Sequence, residues 1–501
     1  MIQPSLEEVQ QLAGSYNLVP VSIELFADVH TVIELYQTYY KEDYSFLLES
    51  VEGGQQWARY SYIGKNPFMV VSCKKGKTTI KKKGQDETFT GHPIDILKSL
   101  LNQFKSPAHN NLPQFAGGAV GYFGYDILQY FENIPPHSKD VINTDDMKFL
   151  FVDELIVFDH LKQSIQIVCN LHVPENHSEQ QIEEAYKKAE QSIHDTLAQL
   201  ENNVNHPVPA FRYLPQQEVD ISAVQSNLTK EEFCRMVERA KEYITAGDIF
   251  QVVLSQCFES EAKADPLTVY RVLRIVNPSA YMYLLKMPDE TIVGSSPELL
   301  VKVEGQQVRT RPIAGTRPRG KDMEEDQLLA EELLADEKEV AEHIMLVDLG
   351  RNDIGRVSEY GSVEVSSFME IERYSHVMHI VSDVTGTLRS DKDFFDALIS
   401  CLPAGTLSGA PKIRAMQIIS ELETQARGTY AGAIGYLSFS GNMDSCITIR
   451  TILFKNQKAY IQAGAGIVAD SVPENEYEET FNKAKALLKA IQVAEAMELQ
   501  V

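Results

Sequence analysis

Cysteine is scarce in this sequence. Six residues of 501 (Cys73, Cys169, Cys234, Cys257, Cys401 and Cys446) stand far apart, and no two form a Cys-x-x-Cys pair. That argues against a zinc ribbon or a disulfide framework and fits a reducing compartment. Long apolar runs are missing too: no stretch approaches the roughly 18 continuous residues that a membrane span needs. The opening residues, Met1 to Gly14, are acidic and amphipathic and lack the basic start and apolar stretch of a secretory signal. We therefore expect a soluble, cytoplasmic protein. Positive charge is the third shortage. Forty-six lysines and arginines face 71 aspartates and glutamates, a formal net charge of −25. So acidic a surface repels phosphate backbones and anionic lipid, so neither nucleic acid nor membrane is expected as a partner. An anionic substrate must then be met by a local cation, arginine or metal.

What is present is an ordinary globular composition, 44% hydrophobic and 23% charged, which rules out wholesale disorder. At roughly 150 residues per domain the length allows two to four domains. Strand composition marks 44–51, 67–73, 147–159 and 164–170, and 94–103 reads as a helix. The glycine-rich run from Phe115 to Tyr125 suits a strand or a turn with close backbone approach. A polar stretch over 175–200 reads as a surface helix with little apolar face. It runs into Asn202-Asn-Val-Asn-His-Pro-Val-Pro209, which has linker composition. The expected division is 1–215 and 216–501. The second part opens on a capping box, Thr229-Lys-Glu-Glu232. Strands at 249–258, 281–286, 431–440, 445–454 and 458–463 then alternate with helices at 324–349, 391–401, 411–423 and 476–495. Strands that follow one another directly imply hairpins, so the expected class is α+β with large antiparallel sheets.

Two motifs are decoys. Gly464-Ala-Gly-Ile-Val-Ala469 matches a dinucleotide fingerprint, but Asp470-Ser-Val-Pro473 follows where a helix should start at once. Gly76-Lys77-Thr78 resembles the end of a phosphate loop whose first glycine is absent, position 71 being Val. The chemical signals lie elsewhere. Glu339/Glu342 and Glu476/Glu479 are two Glu-x-x-Glu pairs in expected helices, and this spacing puts both carboxylates of a pair on one face. Solvated acidic helices carry such spacings by chance, but facing pairs supply oxygen ligands for a hard cation such as Mg²⁺. The run Arg309 to Gly320 packs four arginines into a stiff loop, to neutralise an acidic neighbour or to hold an anion. Gly405-Thr-Leu-Ser-Gly-Ala-Pro-Lys412 feeds a helix at Pro411 and suits an oxyanion.

Leu47-Leu-Glu-Ser50, Gly315-Thr-Arg-Pro-Arg319, Glu342-His-Ile-Met-Leu-Val-Asp-Leu-Gly-Arg-Asn-Asp353, Tyr374-Ser-His-Val-Met-His379, Gly405 to Lys412 and Gln462-Ala-Gly-Ala-Gly466 stand in one order. With these motifs the chain resembles the chorismate-utilising enzymes, most closely the anthranilate synthase component I branch, over about 43–490. The resemblance implies a large α+β chorismate-binding domain of two packed, mainly antiparallel sheets flanked by helices, with an N-terminal α+β domain packed closely against it. It implies the Mg²⁺-dependent reaction of chorismate and ammonia to anthranilate and pyruvate through 2-amino-2-deoxyisochorismate. By that resemblance Glu342 and Glu479 ligate Mg²⁺, with Glu339 and Glu476 as neighbouring ligands or orienters. Arg450, Tyr430 and the backbone of Gly464, Ala465 and Gly466 face the enolpyruvyl carboxylate, and Gly315, Thr316 and Thr406 line the ring. Glu298 matches the acid that protonates the departing C4 hydroxyl, and His379 the histidine of the pyruvate-eliminating step. Taken singly, each has an ordinary reading: a surface arginine, a packed core histidine, a cap.

The nucleophile rests on few positions. Water-adding relatives use a lysine base where this chain has Gln251, and a neutral amide cannot deprotonate water. Para-aminating relatives commonly carry a nucleophilic lysine where Ala314 stands, although some lack it. Leu47 to Ser50 and Asn277-Pro-Ser-Ala-Tyr-Met282 resemble the two strips of a tryptophan feedback site, formed by Ser50, Ala280, Tyr281 and Met282, with Ala280 where proline is usual. No cysteine sits in a Gly-x-Cys-x-Gly elbow, so the resemblance implies a separate glutamine amidotransferase subunit as the ammonia source, in a heterotetramer. The alternatives are a lysine-less aminodeoxychorismate synthase component and a non-catalytic chorismate-binding paralogue.

Overall fold

Alternation along single strands sets the architecture. In Ser45–Glu49, Phe46 points to one side and Leu47 to the other; in Tyr281–Lys286, Tyr283 and Leu285 oppose Met282 and Leu284. Period-two patterning with both faces apolar belongs to a strand buried on two sides. The computed structural model describes residues 2–50, 59–82, 84–107, 112–203, 220, 224–374 and 377–499, the side chains of 202 and 203 excepted. Among them are two antiparallel sheets of twelve strands each. The faces turned towards each other enclose a core that includes Phe46, Val157, Tyr283 and Leu453 from one sheet and Val120, Tyr122, Leu150 and Ile434 from the other. The outer faces carry the helices, so the fold is α+β, two large antiparallel sheets flanked by helices.

Both sheets draw strands from either side of the expected division. Ser45–Glu49 pairs with Tyr281–Lys286 in the first sheet, and Gly118–Phe123 with Ala433–Ser438 in the second. The division at 215/216 itself, with most of the linker-like run, lies outside the described residues.

Several expected elements take a different form. The stretch 445–454 is two strands in different sheets, Met443–Ile447 in the second and Thr451–Lys455 in the first, and the chain crosses at Arg450, whose φ is 51°. The run 324–349 is two helices, Met323–Ala335 and Glu337–Gly355. Asp336 breaks it by capping the second, accepting from the N–H groups of Lys338 (3.1 Å) and Glu339 (3.2 Å). The polar stretch forms the helix Glu179–Asn203, and it does have an apolar face: Ile182, Tyr186, Ala189, Ile193 and Leu200 are buried at helical spacing. The basic run is mostly strand, Gln307–Thr310 and Ile313–Pro318. Pro411 is the cap of helix Lys412–Leu422 rather than its first residue. The capping box at Thr229 forms as expected. Gly464 to Ile467 lie inside strand Lys458–Ile467, so the fingerprint glycines open no helix.

Candidate active site

Two crossovers between the sheets create the site. The chain leaves the first sheet after Thr291–Ser296 and enters the second at Leu299–Glu304, with Glu298 at the crossing; Arg450 lies at the other. The crossings are laced together: the Ile447 N–H donates to the Glu298 carbonyl (3.0 Å) and the Ser295 N–H to the Arg450 carbonyl (3.0 Å). A non-glycine residue at positive φ is strained unless its surroundings hold it. Here the Arg450 side chain is fixed as well, Nη1 donating to the Lys483 carbonyl at 3.1 Å.

Thr406, in the short turn Gly405–Leu407, donates its hydroxyl to Glu298 Oε1 at 2.9 Å. Burial pushes the Glu298 carboxyl up to about 7, against the opposing pull of the Thr406 hydrogen bond and the Lys483 charge. A carboxyl poised there is protonated often enough at neutral pH to act as a general acid. His379, on strand Val377–Thr387, lies opposite Thr316 of the neighbouring strand. Its Nδ1 is 2.9 Å from the Gly315 carbonyl and 3.0 Å from Thr316 Oγ1. A carbonyl only accepts, so Nδ1 carries the proton and Nε2 keeps its lone pair. Burial lowers the His379 pKa, which favours the neutral ring. Gly315 has φ +71, and a Cβ there would stand 3.1 Å from Leu333 and 3.3 Å from Glu339 Oε2, so glycine suits the position on both counts.

Helix Glu337–Gly355 carries Glu339 and Glu342, helix Pro473–Glu498 carries Glu476 and Glu479, and Glu342 lies close enough to Glu479 to be repelled by it. Burial raises the Glu342 pKa first, then repulsion from Glu339 and Glu479; burial and Glu479 act likewise on Glu476. Two of the four carboxylates already have cations: Arg317 lies 3.4 Å from Glu339 and Lys483 2.6 Å from Glu479. Among the described residues no three His, Cys, Asp or Glu side chains converge into a ready-made metal cage. Mutual repulsion among partly buried carboxylates is nonetheless what a divalent cation relieves, and the oxygen-only donor set suits Mg²⁺.

Lys483, which the sequence reading missed, stands amid these groups. It pairs with Glu479, donates to the Gly464 carbonyl (2.9 Å), and lowers the pKa of Glu298, Glu342 and Glu476. Its position four residues after Glu479 on one helix face was the available signal. Tyr430 is buried with its hydroxyl against the Gly464 to Gly466 strip of backbone, 2.8 Å from where a Gly464 Cβ would be. Gln251 is buried too, its Nε2 2.7 Å from a Cβ placed on Gly466. Either side chain excludes a larger residue from the strip. Ala314 lies on the strand facing Ile380. Ser375 and His376 of the Tyr374 to His379 motif lie outside the described residues.

The arginines of the basic run neutralise acidic neighbours. Arg309 pairs with Asp383, Arg311 with Glu372, Arg317 with Glu332, Asp336 and Glu339, and Arg319 with Asp326.

Ser50, Ala280, Tyr281 and Met282 gather elsewhere, on the rim of a cavity of about 470 Å³ that Leu48, Glu49, Asp444 and Cys446 also line. Met282 pairs with Glu49 across adjoining strands, and Tyr281 donates to Asp444 Oδ1 at 3.0 Å. The Ser50 hydroxyl is buried and has no hydrogen-bond partner among the described residues. An orphaned hydroxyl in a cavity wall is costly unless something fills the cavity.

A family model described as chorismate binding enzyme matches residues 44–489. Anthranilate synthase component 1 of Acetivibrio thermocellus is 55% identical over 499 residues, 99% of each chain. That of Aquifex aeolicus is 48% identical over 493 residues, 98% of each. The crystal structure of anthranilate synthase component I from Streptococcus pneumoniae is 44% identical, with a TM-score of 0.74 over 86% of this chain and 92% of that one. The menaquinone-specific isochorismate synthase of Escherichia coli, 19% identical with a TM-score of 0.69 over 97% and 98%, shares the fold.

Proposed function

Because the chain belongs to the chorismate binding enzymes, we propose that it is their ammonia-using, anthranilate-forming subunit. It takes chorismate and ammonia to anthranilate, pyruvate and water. Ammonia adds at C2 as the C4 hydroxyl departs, giving 2-amino-2-deoxyisochorismate; loss of the C2 proton and of the enolpyruvyl group as pyruvate then makes the ring aromatic. Glu298 protonates the leaving hydroxyl, since hydroxide leaves poorly unaided. Thr406 orients that carboxyl. The neutral Nε2 of His379 receives the C2 proton in the second step. Arg450 and Tyr430, with the Gly464 to Gly466 backbone, bind the enolpyruvyl carboxylate. Gly315 and Thr316 shape the ring pocket.

Glu342 and Glu479, with Glu339 and Glu476 beside them, would hold Mg²⁺. Bound there, it would supply the positive charge that an anionic ring carboxylate needs in so acidic a protein. Lys483 and Arg317 balance the carboxylates when the metal is away.

The observation that carries amination over hydration is the buried Gln251 amide against Gly466, a group that cannot act as a base towards water. Ammonia needs no such base. The supplier is a separate glutamine amidotransferase subunit in a heterotetramer, in keeping with the component 1 designation of the relatives. The cavity lined by Ser50, Ala280, Tyr281 and Met282 takes L-tryptophan as feedback inhibitor, the Ser50 hydroxyl meeting its polar end and Tyr281 and Met282 its indole. The test is incubation of the chain with chorismate, Mg²⁺ and ammonium at alkaline pH. Anthranilate fluorescence is expected; accumulation of 4-amino-4-deoxychorismate would assign the chain to the para-aminating branch, and no turnover to a non-catalytic paralogue.

A further inference from the structure

Arg427 is the largest of the fully buried side chains, at 1% exposure. Burying a guanidinium is expensive unless its charge and donors are all met. Glu423, four residues earlier and just past the end of helix Lys412–Leu422, accepts from Nε (2.8 Å) and Nη2 (2.6 Å). The other bonds go to backbone on two separate elements: Nη1 donates to the Leu407 carbonyl (2.9 Å) and Nη2 to the Val253 carbonyl (2.8 Å). The rings of Tyr125 and Tyr430 lie 4.8 and 5.5 Å from the guanidinium carbon. Glu423 is tied in turn, accepting from the Ser255 N–H (2.8 Å) and hydroxyl (3.0 Å).

Each of these attachments adjoins a wall of the site. Leu407 follows Thr406, which holds Glu298. Val253 pairs with Gly466 two residues after Gln251, and Ser255 pairs with Gly464. Tyr430 closes over Gly464. We propose that Arg427 is a positioning residue for the amination step: it fixes the Thr406–Glu298 wall at a set distance from the Tyr430 and Gly464 to Gly466 wall. The role rests on the reaction proposed above. Four simultaneous bonds in a planar fork are available to arginine and not to lysine, which has three donors on one nitrogen.

Arg427→Lys keeps a cation opposite Glu423 but cannot reach Leu407 and Val253 together. Displacement of a catalytic wall by about 1 Å costs on the order of 100-fold, so kcat should fall by about 10- to 100-fold. The KM for chorismate should rise as Tyr430 shifts. The alkaline limb of the kcat profile should also move upward, because the Thr406 hydrogen bond that favours ionised Glu298 is loosened. Glu298 is faced by Thr406 from the Gly405–Leu407 turn and by Lys483 from helix Pro473–Glu498, and Arg311 and Asp353 line the small cavity behind it. The substitution alters none of these other groups. Glu423→Gln with Arg427→Met removes the buried ion pair as a unit, leaves no orphaned charge, and should show the same limb shift and KM rise. Either variant, folded by circular dichroism, with an unmoved limb and KM would overturn the role, and so would a loss uniform across pH. Wild type that makes no anthranilate removes the reaction itself, and the role with it.

Discussion

Glu298→Gln keeps the shape of the proposed acid and deletes its titration, which makes it a test of both chemistry and stability. The native carboxyl is held at about 7 against an ordinary 4.5, a gap of about 2.5 pH units with burial as its main cause. At 1.36 kcal/mol per unit, that is about 3 kcal/mol. The sign follows from proton counting. The unfolded chain releases this proton near pH 4.5, and the native chain keeps it until about 7. Unfolding between those values therefore releases a proton, so stability falls as pH rises through the window and is level above it. Glutamine cannot titrate. Denaturant unfolding of both proteins from pH 5 to 8 should show the variant gaining about 2–3 kcal/mol on wild type across that range. Its turnover should fall by about 10²- to 10⁴-fold, the usual contribution of a positioned acid. A stability difference that is the same at pH 5 and pH 8 would mean that the carboxyl has an ordinary pKa in the native state and is not held as an acid.

Glu342→Gln should abolish turnover and remove Mg²⁺-dependent chorismate binding, measured by calorimetry, while the unfolding transition is retained; full activity in this variant or in EDTA contradicts the metal assignment. His379→Ala should accumulate 2-amino-2-deoxyisochorismate, detected by chromatography, and equal loss of both steps with no intermediate argues against its confinement to the second. Tryptophan titrated calorimetrically should bind more weakly in the presence of chorismate, and chorismate more weakly with tryptophan by the same factor, since coupling is reciprocal. Ala280→Pro should lower the tryptophan concentration for half inhibition by pre-ordering the strip, and Ser50→Phe should remove inhibition while sparing activity; a wild-type chain that binds no tryptophan defeats the regulatory reading.

Much of the fold was legible because strand alternation and capping are local. Tyr281–Lys286 reads as a strand from its own residues, and Thr229 as a cap from its own spacing. What was not legible depends on partners distant in sequence. Arg450 sits in a run that reads as one strand; only the passage between two sheets explains its positive φ. The apolar face of Glu179–Asn203 is spread thinly among charges, so composition hid a periodicity that burial makes plain. The four arginines from 309 to 319 looked anomalous against a charge of −25 because their acidic partners, such as Asp383 and Glu372, come from further along the chain. The candidate site residues were proposed from ordered motifs, whereas Lys483 and Arg427 lie beside those motifs and gain meaning only from the carbonyls they reach.

In the proposed reaction this site joins nitrogen to the carbon next to the ring carboxyl and expels pyruvate. Nuclear magnetic resonance of the products from chorismate, Mg²⁺ and ¹⁵N-ammonium tests it directly. One pyruvate is expected for each ring, with the label bonded ortho to the carboxyl. Label para to the carboxyl, or an unlabelled ring hydroxylated at C2, would contradict it.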